Sequence, residues 1–323
     1  MSFQNKLKGC IVGYAIGDAL GRGTEFMTER EVSRRYPEGL HDYSAIIRDA
    51  HRSRWRRGDY THTTQIVMEL IDSIIETRGI DYHDYARRLQ KWFGRQEPSD
   101  FDTHMRHVLQ HPDFPTDPHE TCRTVYELQG FYEAPNEALG RAMIIGLWPG
   151  EDTERLALEN CRLTHWDSRC QTCCVIAATV SHELLWHHRM ADYDRLIGIA
   201  DRLDPEVTQY IETAYKGSID DFRLDDEETC WFVRKNLGVA LWSLWHSKDA
   251  AEAMYDVISR GGDADSNASL TMGLMGLKYG ENHFPPHLVE HLLRHSQVEA
   301  TALRLGEVLL AASDLRDTDE KDF

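Results

Sequence analysis

The sequence lacks three features that would place it in common functional classes. No apolar run approaches the roughly 20 residues that span a bilayer, and the N-terminal segment MSFQNKLKGC lacks the long apolar core of a signal peptide. Basic residues are few, since 36 Lys and Arg stand against 54 Asp and Glu and the formal net charge is −18. Such a chain repels phosphate backbones and anionic lipid headgroups. We therefore expect a soluble cytoplasmic protein with no nucleic-acid or membrane partner.

Strand patterns and paired metal-binding cysteines are also scarce. Three of the seven cysteines lie close together at Cys170, Cys173 and Cys174, but no second Cys/His pair has the spacing of a structural zinc site. Reduced, packing thiols are the expectation. Apolar residues instead recur at helical spacing over 66–75, 85–93, 173–184 and 233–244. The sequence therefore predicts an all-α fold.

The opening segment carries glycines at a regular spacing. Gly9, Gly13, Gly17 and Gly21 recur every four residues, which places them on one face of a helix where a neighbouring helix can approach closely. Polar connections, among them 40–60 and 96–120, separate the helical segments, and neither a clear linker nor an internal repeat is present. We predict one domain over residues 1–312 and a charged, disordered tail over 313–323.

The most specific segment for chemistry is SRGGDADSN at residues 259–267. Asp263, Asp265 and Ser266 precede an apolar helical stretch, and their oxygens can converge on a hard cation such as Mg²⁺, Mn²⁺ or Ca²⁺. The alternative is an ordinary helix start, in which Asp265 or Ser266 caps the helix and Asp263 favours its positive end. The segment alone leaves both interpretations open.

Three weaker candidates lie elsewhere in the chain. Asp18 and Glu25 flank the turn after the glycine-spaced helix and are either a ligand and a base or part of a capped terminus. The run Thr-His-Thr-Thr at 61–64 supplies either hydroxyl ligands or a helix cap. His165 precedes another helix, where it either binds an anion and moves protons or only caps and packs.

Taken in order, several segments resemble the ADP-ribosylglycohydrolase family, which includes dinitrogenase-reductase-activating glycohydrolase and the ADP-ribosyl-acceptor hydrolases. The resemblance covers roughly residues 6–285 and implies the family's single-domain helical bundle. The segments that carry it are GCIVGYAIGDALGRGTEFM, GDYTHTTQIVMELIDSI, HPDFPTDPHETCRTVYELQGFYEAPNEALGR, LTHWDSRCQTCC and SRGGDADSNASLTMGLMGLKYG.

The resemblance also implies a site. Family members hold two Mg²⁺ or Mn²⁺ ions through a Thr-Asp-Asp motif and an Asp-x-Asp-Thr/Ser motif, and these ions orient the ribose whose anomeric bond is cut. Carried across by position, the implied metal ligands are Thr61, His62, Asp263, Asp265 and Ser266. The implied catalytic residues are Glu25 and Asp263. The implied substrate-binding residues are His165, Asn136, Arg141 and Asp18.

This chain departs from the family pattern at several of these places. His62 and Thr63 stand where the family has two aspartates, which removes two negative charges from the metal site. The phosphate-binding stretch should fall near 98–108, where PSDFDTHMRHV contains no glycine. Glu137 and Gly140 replace a Gly and a Met of one subgroup, and Trp231-Phe232 replaces Gly-Tyr. We therefore predict at most one Mg²⁺ or Mn²⁺ ion, or none.

These observations leave two functions of different classes. The first is a divergent hydrolase of an ADP-ribosyl or related ribosyl glycosidic bond, with altered metal dependence and low or no activity on ADP-ribosylated arginine or serine. The second is a catalytically inactive family member that binds a nucleotide or a protein partner. The expected partner is a small ADP-ribose-like ligand or an ADP-ribosylated protein in either case.

Overall fold

The computed structural model describes residues 1–96, 101–130 and 134–319. These residues form sixteen α-helices and several single turns of 3-10 helix, and they contain no β-strand. The predicted all-α fold is confirmed. The helices are α1 Phe3–Gly21, α2 Glu29–Arg35, α3 His62–Thr77, α4 Tyr82–Gln96, α5 Thr103–Gln110, α6 Pro118–Gln129, α7 Leu139–Ile145, α8 Thr153–Cys161, α9 Ser168–Trp186, α10 Tyr193–Leu203, α11 Thr208–Lys216, α12 Val233–His246, α13 Ala250–Ser259, α14 Ala264–Tyr279, α15 Pro286–Glu290 and α16 His295–Asp319.

Helices α1 and α14 pack against each other along the glycine face of α1. A Cβ added at Gly17 would lie 2.3 Å from the carbonyl oxygen of Ala268. One added at Gly21 would lie 2.4 Å from the carbonyl oxygen of Ala264. Any side chain at these positions would force the helices apart, so the predicted close neighbour is confirmed and is α14. The packing brings the end of α1 beside the start of α14, where the candidate carboxylates lie.

The four predicted apolar stripes fall in α3, α4, α9 and α12, as the periodicity indicated. Their apolar residues belong to one buried cluster that also includes α1 and α14. All seven cysteines are free and buried, which matches the expected packing thiols. Among the described residues, no helix combines the length and the apolar character needed to cross a membrane.

Two segments differ from the expectation. The predicted connection at 96–120 contains α5, an eight-residue helix whose inward face is Met105, Val108 and Leu109. The apolar face of α5 is too short for a helical repeat to be recognised, so periodicity could not predict this helix. The last helix runs through Asp319 and so extends into the segment predicted to be disordered. Residues 320–323 lie outside the described part of the chain.

Candidate active site

Two adjoining cavities form a cleft, one where the end of α1 meets the starts of α14 and α3, and the other between α5, α6 and the start of α9. The first, here called the acidic cavity, has a volume of about 210 Å³ and includes most of the predicted site residues. The second, here called the histidine cavity, has a volume of about 180 Å³. Both are lined by Asp102, Thr103 and Pro135. The predicted residues that line the acidic cavity are Glu25, His62, Asn136, Asp263, Asp265 and Ser266.

Three buried carboxylates converge on the acidic cavity from opposite ends of the chain. One oxygen from each of Glu25, Asp263 and Asp265 lies within 4.8 Å of the other two. The glutamate belongs to the turn after α1, and the two aspartates belong to the start of α14. Oxygens this close to one another can share a single cation. The turn after α1 and the start of α14 therefore meet at the acidic cavity.

Backbone hydrogen bonds hold the two segments together. The N–H of Phe26 donates to the carbonyl of Gly262 at 2.7 Å, and the N–H of Gly262 donates to the carbonyl of Met27 at 2.9 Å. Gly262 has a φ of +64°, and a Cβ there would lie 1.8 Å from the carbonyl oxygen of Leu224. Only glycine fits such a position, so the glycine before Asp263 fixes the distance between that aspartate and Glu25.

An ordinary helix cap does not account for Asp263. It occupies the N-cap position of α14, but its side chain makes no capping hydrogen bond. Its Oδ2 instead accepts a hydrogen bond of 2.6 Å from the side-chain amide of Asn136. Asp265 accepts the N–H of Ser266 through Oδ1 at 2.8 Å, as a residue near a helix start does. Asp263 is therefore free of the helix and directed towards the cavity.

The charges of this cluster are poorly balanced. Burial raises the pKa of Asp265 well above its usual range, and the nearby carboxylates of Glu25 and Asp263 raise it further. The Oε2 atom of Glu25 lies 2.6 Å from Nε2 of His51, whose side chain is 21% exposed. The guanidinium of Arg22 is also near, and burial lowers its pKa. Three carboxylates outnumber their cationic neighbours, which suits a divalent ion with a preference for oxygen.

The opposite wall, at the start of α3, is built differently. Asp18 accepts the backbone N–H groups of Thr61 and Thr64 at 2.9 and 3.0 Å, and the hydroxyl of Thr64 at 2.6 Å. The hydroxyl of Thr61 in turn accepts the N–H of Thr63 at 3.1 Å. Thr61 is the N-cap of α3, as the capping interpretation of the Thr run predicted, whereas Asp18 reaches across from α1 to hold the start of α3 rather than the terminus of its own helix. His62 and Thr63 are the residues of this wall that line the acidic cavity.

Of the remaining predicted substrate-binding residues, one lines a cavity and one does not. His165 lines the histidine cavity, and burial together with the nearby Arg141 guanidinium lowers the pKa of His165 to about 3. Its ring is therefore neutral at physiological pH. Arg141 is fully buried, donates to the hydroxyl of Thr164 and is absent from the described lining of both cavities. Arg141 therefore holds the hydroxyl of Thr164, which lies beside His165. This geometry does not provide the predicted direct contact between Arg141 and a ligand.

Two acidic residues of the cleft were not assigned a role from the sequence. Glu137 lines the acidic cavity, and Asp102 lines both cavities. Burial raises the pKa of Glu137 to about 7. The sequence offered only two indications of these acids, which were the glutamate in place of a glycine at position 137 and the lack of glycine in the stretch 98–108. Residues 98–100 of that stretch lie outside the described residues.

Comparisons with known proteins agree with this geometry. A profile of the family described as ADP-ribosylglycohydrolase matches residues 1–317. The chain is 26% identical over 316 residues to ADP-ribosylarginine hydrolase Tri1 of Pseudomonas putida (strain GB-1), covering 93% of this chain and 78% of that protein. It is 25% identical over 320 residues to ADP-ribosyl-[dinitrogen reductase] glycohydrolase of Rhodospirillum rubrum, covering 97% and 98%. A solved structure of an ADP-ribosylglycohydrolase-related protein complex has the same fold, with a TM-score of 0.73, 21% identity and coverage of 95% of this chain and 99% of that one.

Proposed function

Because the chain belongs to the ADP-ribosylglycohydrolase family, we propose that it hydrolyses an ADP-ribosyl or related ribosyl glycosidic bond in the acidic cavity. The observation that carries this proposal is the convergence of Glu25, Asp263 and Asp265. Glycoside hydrolysis needs carboxylates beside the anomeric carbon, because that carbon develops positive charge in the transition state. A buried group of carboxylates beside an open cavity meets this need.

The donor atoms of this group fit one divalent ion. All three are carboxylate oxygens, which Mg²⁺ and Mn²⁺ prefer, and Ser266 also lines the same cavity. A divalent ion bound there supplies a Lewis acid that orients ribose hydroxyls and stabilises negative charge. The wall at α3 adds no further ligand oxygen, since the carboxylate of Asp18 already accepts from Thr61 and Thr64 and the hydroxyl of Thr61 accepts the N–H of Thr63. His62 suits softer ions. One ion, rather than two, is the proposed cofactor.

The side chains of the cavity have separate tasks in this proposal. Glu25 accepts a proton from the water whose oxygen bonds to the anomeric carbon, and His51 holds its Oε2 atom in place at 2.6 Å. The glycosidic bond breaks in the same reaction, and the acceptor leaves with the bonding electrons and takes up a proton from solvent. Asn136 orients Asp263 through a hydrogen bond of 2.6 Å. The histidine cavity receives the remainder of the ligand, and its aromatic side chains, Tyr126 and Trp166, offer apolar faces to a base.

The alternative is a family member that binds such a ligand without cleaving it. His62 and Thr63 favour this alternative, because they line the acidic cavity at the places where the resemblance implies aspartates. Loss of two carboxylates weakens metal binding at this wall. The same ligands would then bind in the two cavities, but the glycosidic bond would remain intact.

Release of ADP-ribose distinguishes the two functions. Purified protein would be incubated with Mg²⁺ or Mn²⁺ and with ADP-ribose linked to arginine, serine and other acceptors, together with simpler ribosyl glycosides. We expect metal-dependent cleavage of at least one compound, with low or no cleavage of the arginine and serine linkages. Glu25→Gln should lower the rate by roughly 100-fold or more, as loss of a general base does. The exposed Glu127, paired with Arg123 on α6, provides the matched control Glu127→Gln.

Each result of this assay supports or contradicts a specific function. Binding of ADP-ribose without cleavage of any compound would favour the alternative function. Cleavage that is independent of metal and unchanged in Glu25→Gln would place the reaction outside the acidic cavity. Failure of both binding and cleavage would contradict both functions.

A further inference from the structure

A second group of possible ligands lies where the two cavities join. One oxygen of Asp102, one oxygen of Glu137 and one ring nitrogen of His165 lie within 4.8 Å of one another. Asp102 lines both cavities, Glu137 lines the acidic cavity and His165 lines the histidine cavity. This group, here called the junction cluster, has no residue in common with Glu25, Asp263 and Asp265.

The imidazole of His165 is directed into the junction cluster without a hydrogen-bond partner there. The residue is 1% exposed, and its Nε2 atom makes no hydrogen bond to the described residues. The nearest carboxylate oxygen is Oε2 of Glu137 at 3.4 Å, which is also without a hydrogen bond among the described residues. Nδ1 lies 2.8 Å from the hydroxyl of Thr164. With Nδ1 donating to that hydroxyl, Nε2 presents its lone pair to the cluster, as metal-bound imidazoles do.

The carboxylates of the cluster keep oxygens available for an ion. Oδ2 of Asp102 accepts the backbone N–H of Met105 at 2.5 Å and caps α5, which leaves Oδ1. The buried cation next to the cluster is Arg141, but it donates to Thr164 and to the carbonyl of Asn160. Two half-buried carboxylates and the lone pair of a buried imidazole thus face one another, and a cation between them would relieve the repulsion of the carboxylates.

We propose that Asp102, Glu137 and His165 bind a divalent transition-metal ion such as Zn²⁺ or Mn²⁺. One imidazole and two carboxylates suit borderline ions better than Mg²⁺, which is bound mainly by oxygens. Three protein ligands leave at least one coordination position open, and here that position faces the cavities. This ion is additional to the single ion predicted at Asp263 and Asp265, and the sequence did not indicate it.

The proposal has a consequence that rests on the proposed function. Asp102 belongs to the stretch 98–108, which has no glycine to let backbone amides approach a phosphate. An ion with an open position would reverse the local charge and accept an anionic oxygen of the ligand. The junction cluster would then serve as the binding site for a phosphate group.

Metal binding can be measured without any substrate. Protein stripped with a chelator would be titrated with Zn²⁺ by calorimetry in saturating Mg²⁺, which occupies the acidic site. We expect one equivalent of Zn²⁺ to bind. Glu137→Gln keeps the shape of the side chain and should weaken this binding by more than the roughly 10–100-fold that loss of an outer-shell partner costs. X-ray absorption of the Zn²⁺ form should show one imidazole nitrogen among oxygen ligands.

Three controls connect the result to these residues. Glu127→Gln should leave Zn²⁺ binding unchanged, and Glu137→Gln should retain the Mg²⁺ affinity and the thermal unfolding midpoint of the unmodified protein. Asp265→Asn should lose Mg²⁺ but keep Zn²⁺, so that failure of the junction cluster and failure of the acidic site are distinguishable. Absence of Zn²⁺ binding in the presence of Mg²⁺, Zn²⁺ affinity unchanged by Glu137→Gln, or a Zn²⁺ form without imidazole would each overturn the proposal.

Discussion

The two walls of the acidic cavity use their buried aspartates differently. On the α14 wall, Asp263 makes no capping bond and Asp265 accepts one backbone N–H, that of Ser266, so their oxygens are left facing the cavity. On the α3 wall, the carboxylate of Asp18 is saturated by donors from Thr61 and Thr64. One wall therefore keeps carboxylates for a ligand, whereas the other uses its carboxylate to build a helix start.

Burial of an acid therefore does not by itself identify a ligand. Asp18 and Asp265 are both fully or almost fully buried, at 0% and 2% exposure. What separates them is the number of hydrogen-bond donors that each receives, because a carboxylate with three donors is satisfied without an ion. The comparison predicts that equivalent substitutions on the two walls have opposite effects on folding and on metal binding.

The largest expected effect is on metal affinity at the α14 wall. Asp265→Asn removes one of three convergent carboxylates, so Mg²⁺ affinity should fall by about 100-fold or more, beyond the roughly 10–100-fold cost of losing an outer-shell partner. Folding should be unaffected or slightly stabilised without metal, because a buried negative charge is removed. Calorimetry and urea unfolding measure the two effects. Retained Mg²⁺ affinity would show that Asp265 is not a ligand.

The second expected effect is on stability at the α3 wall. Asp18→Ala leaves two backbone N–H groups and the Thr64 hydroxyl without their acceptor, and the free energy of unfolding should fall by about 2–3 kcal/mol. Urea unfolding in a chelator measures the change, with Asp265→Asn as the matched buried substitution. If the two variants were equally destabilised, the distinction between the walls would be wrong.

The third effect restores charge to the α3 wall. His62→Asp together with Thr63→Asp places two carboxylates where these residues line the cavity, so Mg²⁺ should bind more tightly, by about tenfold or more. The uncharged pair His62→Asn and Thr63→Asn controls for the change of shape. Calorimetry that finds no gain, or the same gain in the uncharged pair, would refute the argument from charge.

The smallest effect is the pH dependence of the metal-free protein. Burial raises the pKa of Asp265 in the folded state. The folded protein therefore takes up a proton at a higher pH than the unfolded chain, in which the pKa of an aspartate is about 3.9. Its stability relative to Asp265→Asn should therefore rise as the pH falls below the folded-state pKa, and decline as the pH rises through it. Unfolding curves of both proteins in a chelator measure this difference, which Mg²⁺ should abolish. A constant difference across the pH range would contradict the raised pKa.

The sequence predicted the features whose signals are local. The spacing of the glycines in α1 predicted a closely packed neighbouring helix, because a helix face without side chains can be recognised from that segment alone. Asp263 and Asp265 lie in one short segment, and Glu25 was a weaker candidate beside the turn after α1 to which the resemblance gave a catalytic role. The choice between cap and ligand at Asp18 and Thr61 depended on hydrogen-bond partners, which the sequence left open.

The junction cluster could not be predicted, for a physical reason. Asp102 caps α5, Glu137 precedes α7 and His165 precedes α9, so their approach depends on how three separate helices pack. Nothing in the spacing of these residues indicates that packing. Arg141 illustrates the same point, since its motif suggested a contact with a ligand, whereas its guanidinium donates to Thr164. The catalytic and binding roles inferred from the resemblance stay predictions.

The stoichiometry of Mg²⁺ binding shows whether the acidic cavity holds a single ion. Calorimetry on the unmodified protein, stripped with a chelator and titrated with Mg²⁺ alone, should give one site of modest affinity, and that site should be missing from Asp265→Asn. This result would place a single ion on Glu25, Asp263 and Asp265. Two tight Mg²⁺ sites would show that the α3 wall binds metal without its aspartates, and no Mg²⁺ binding would show that the three carboxylates are not a metal centre. Either result would contradict the account.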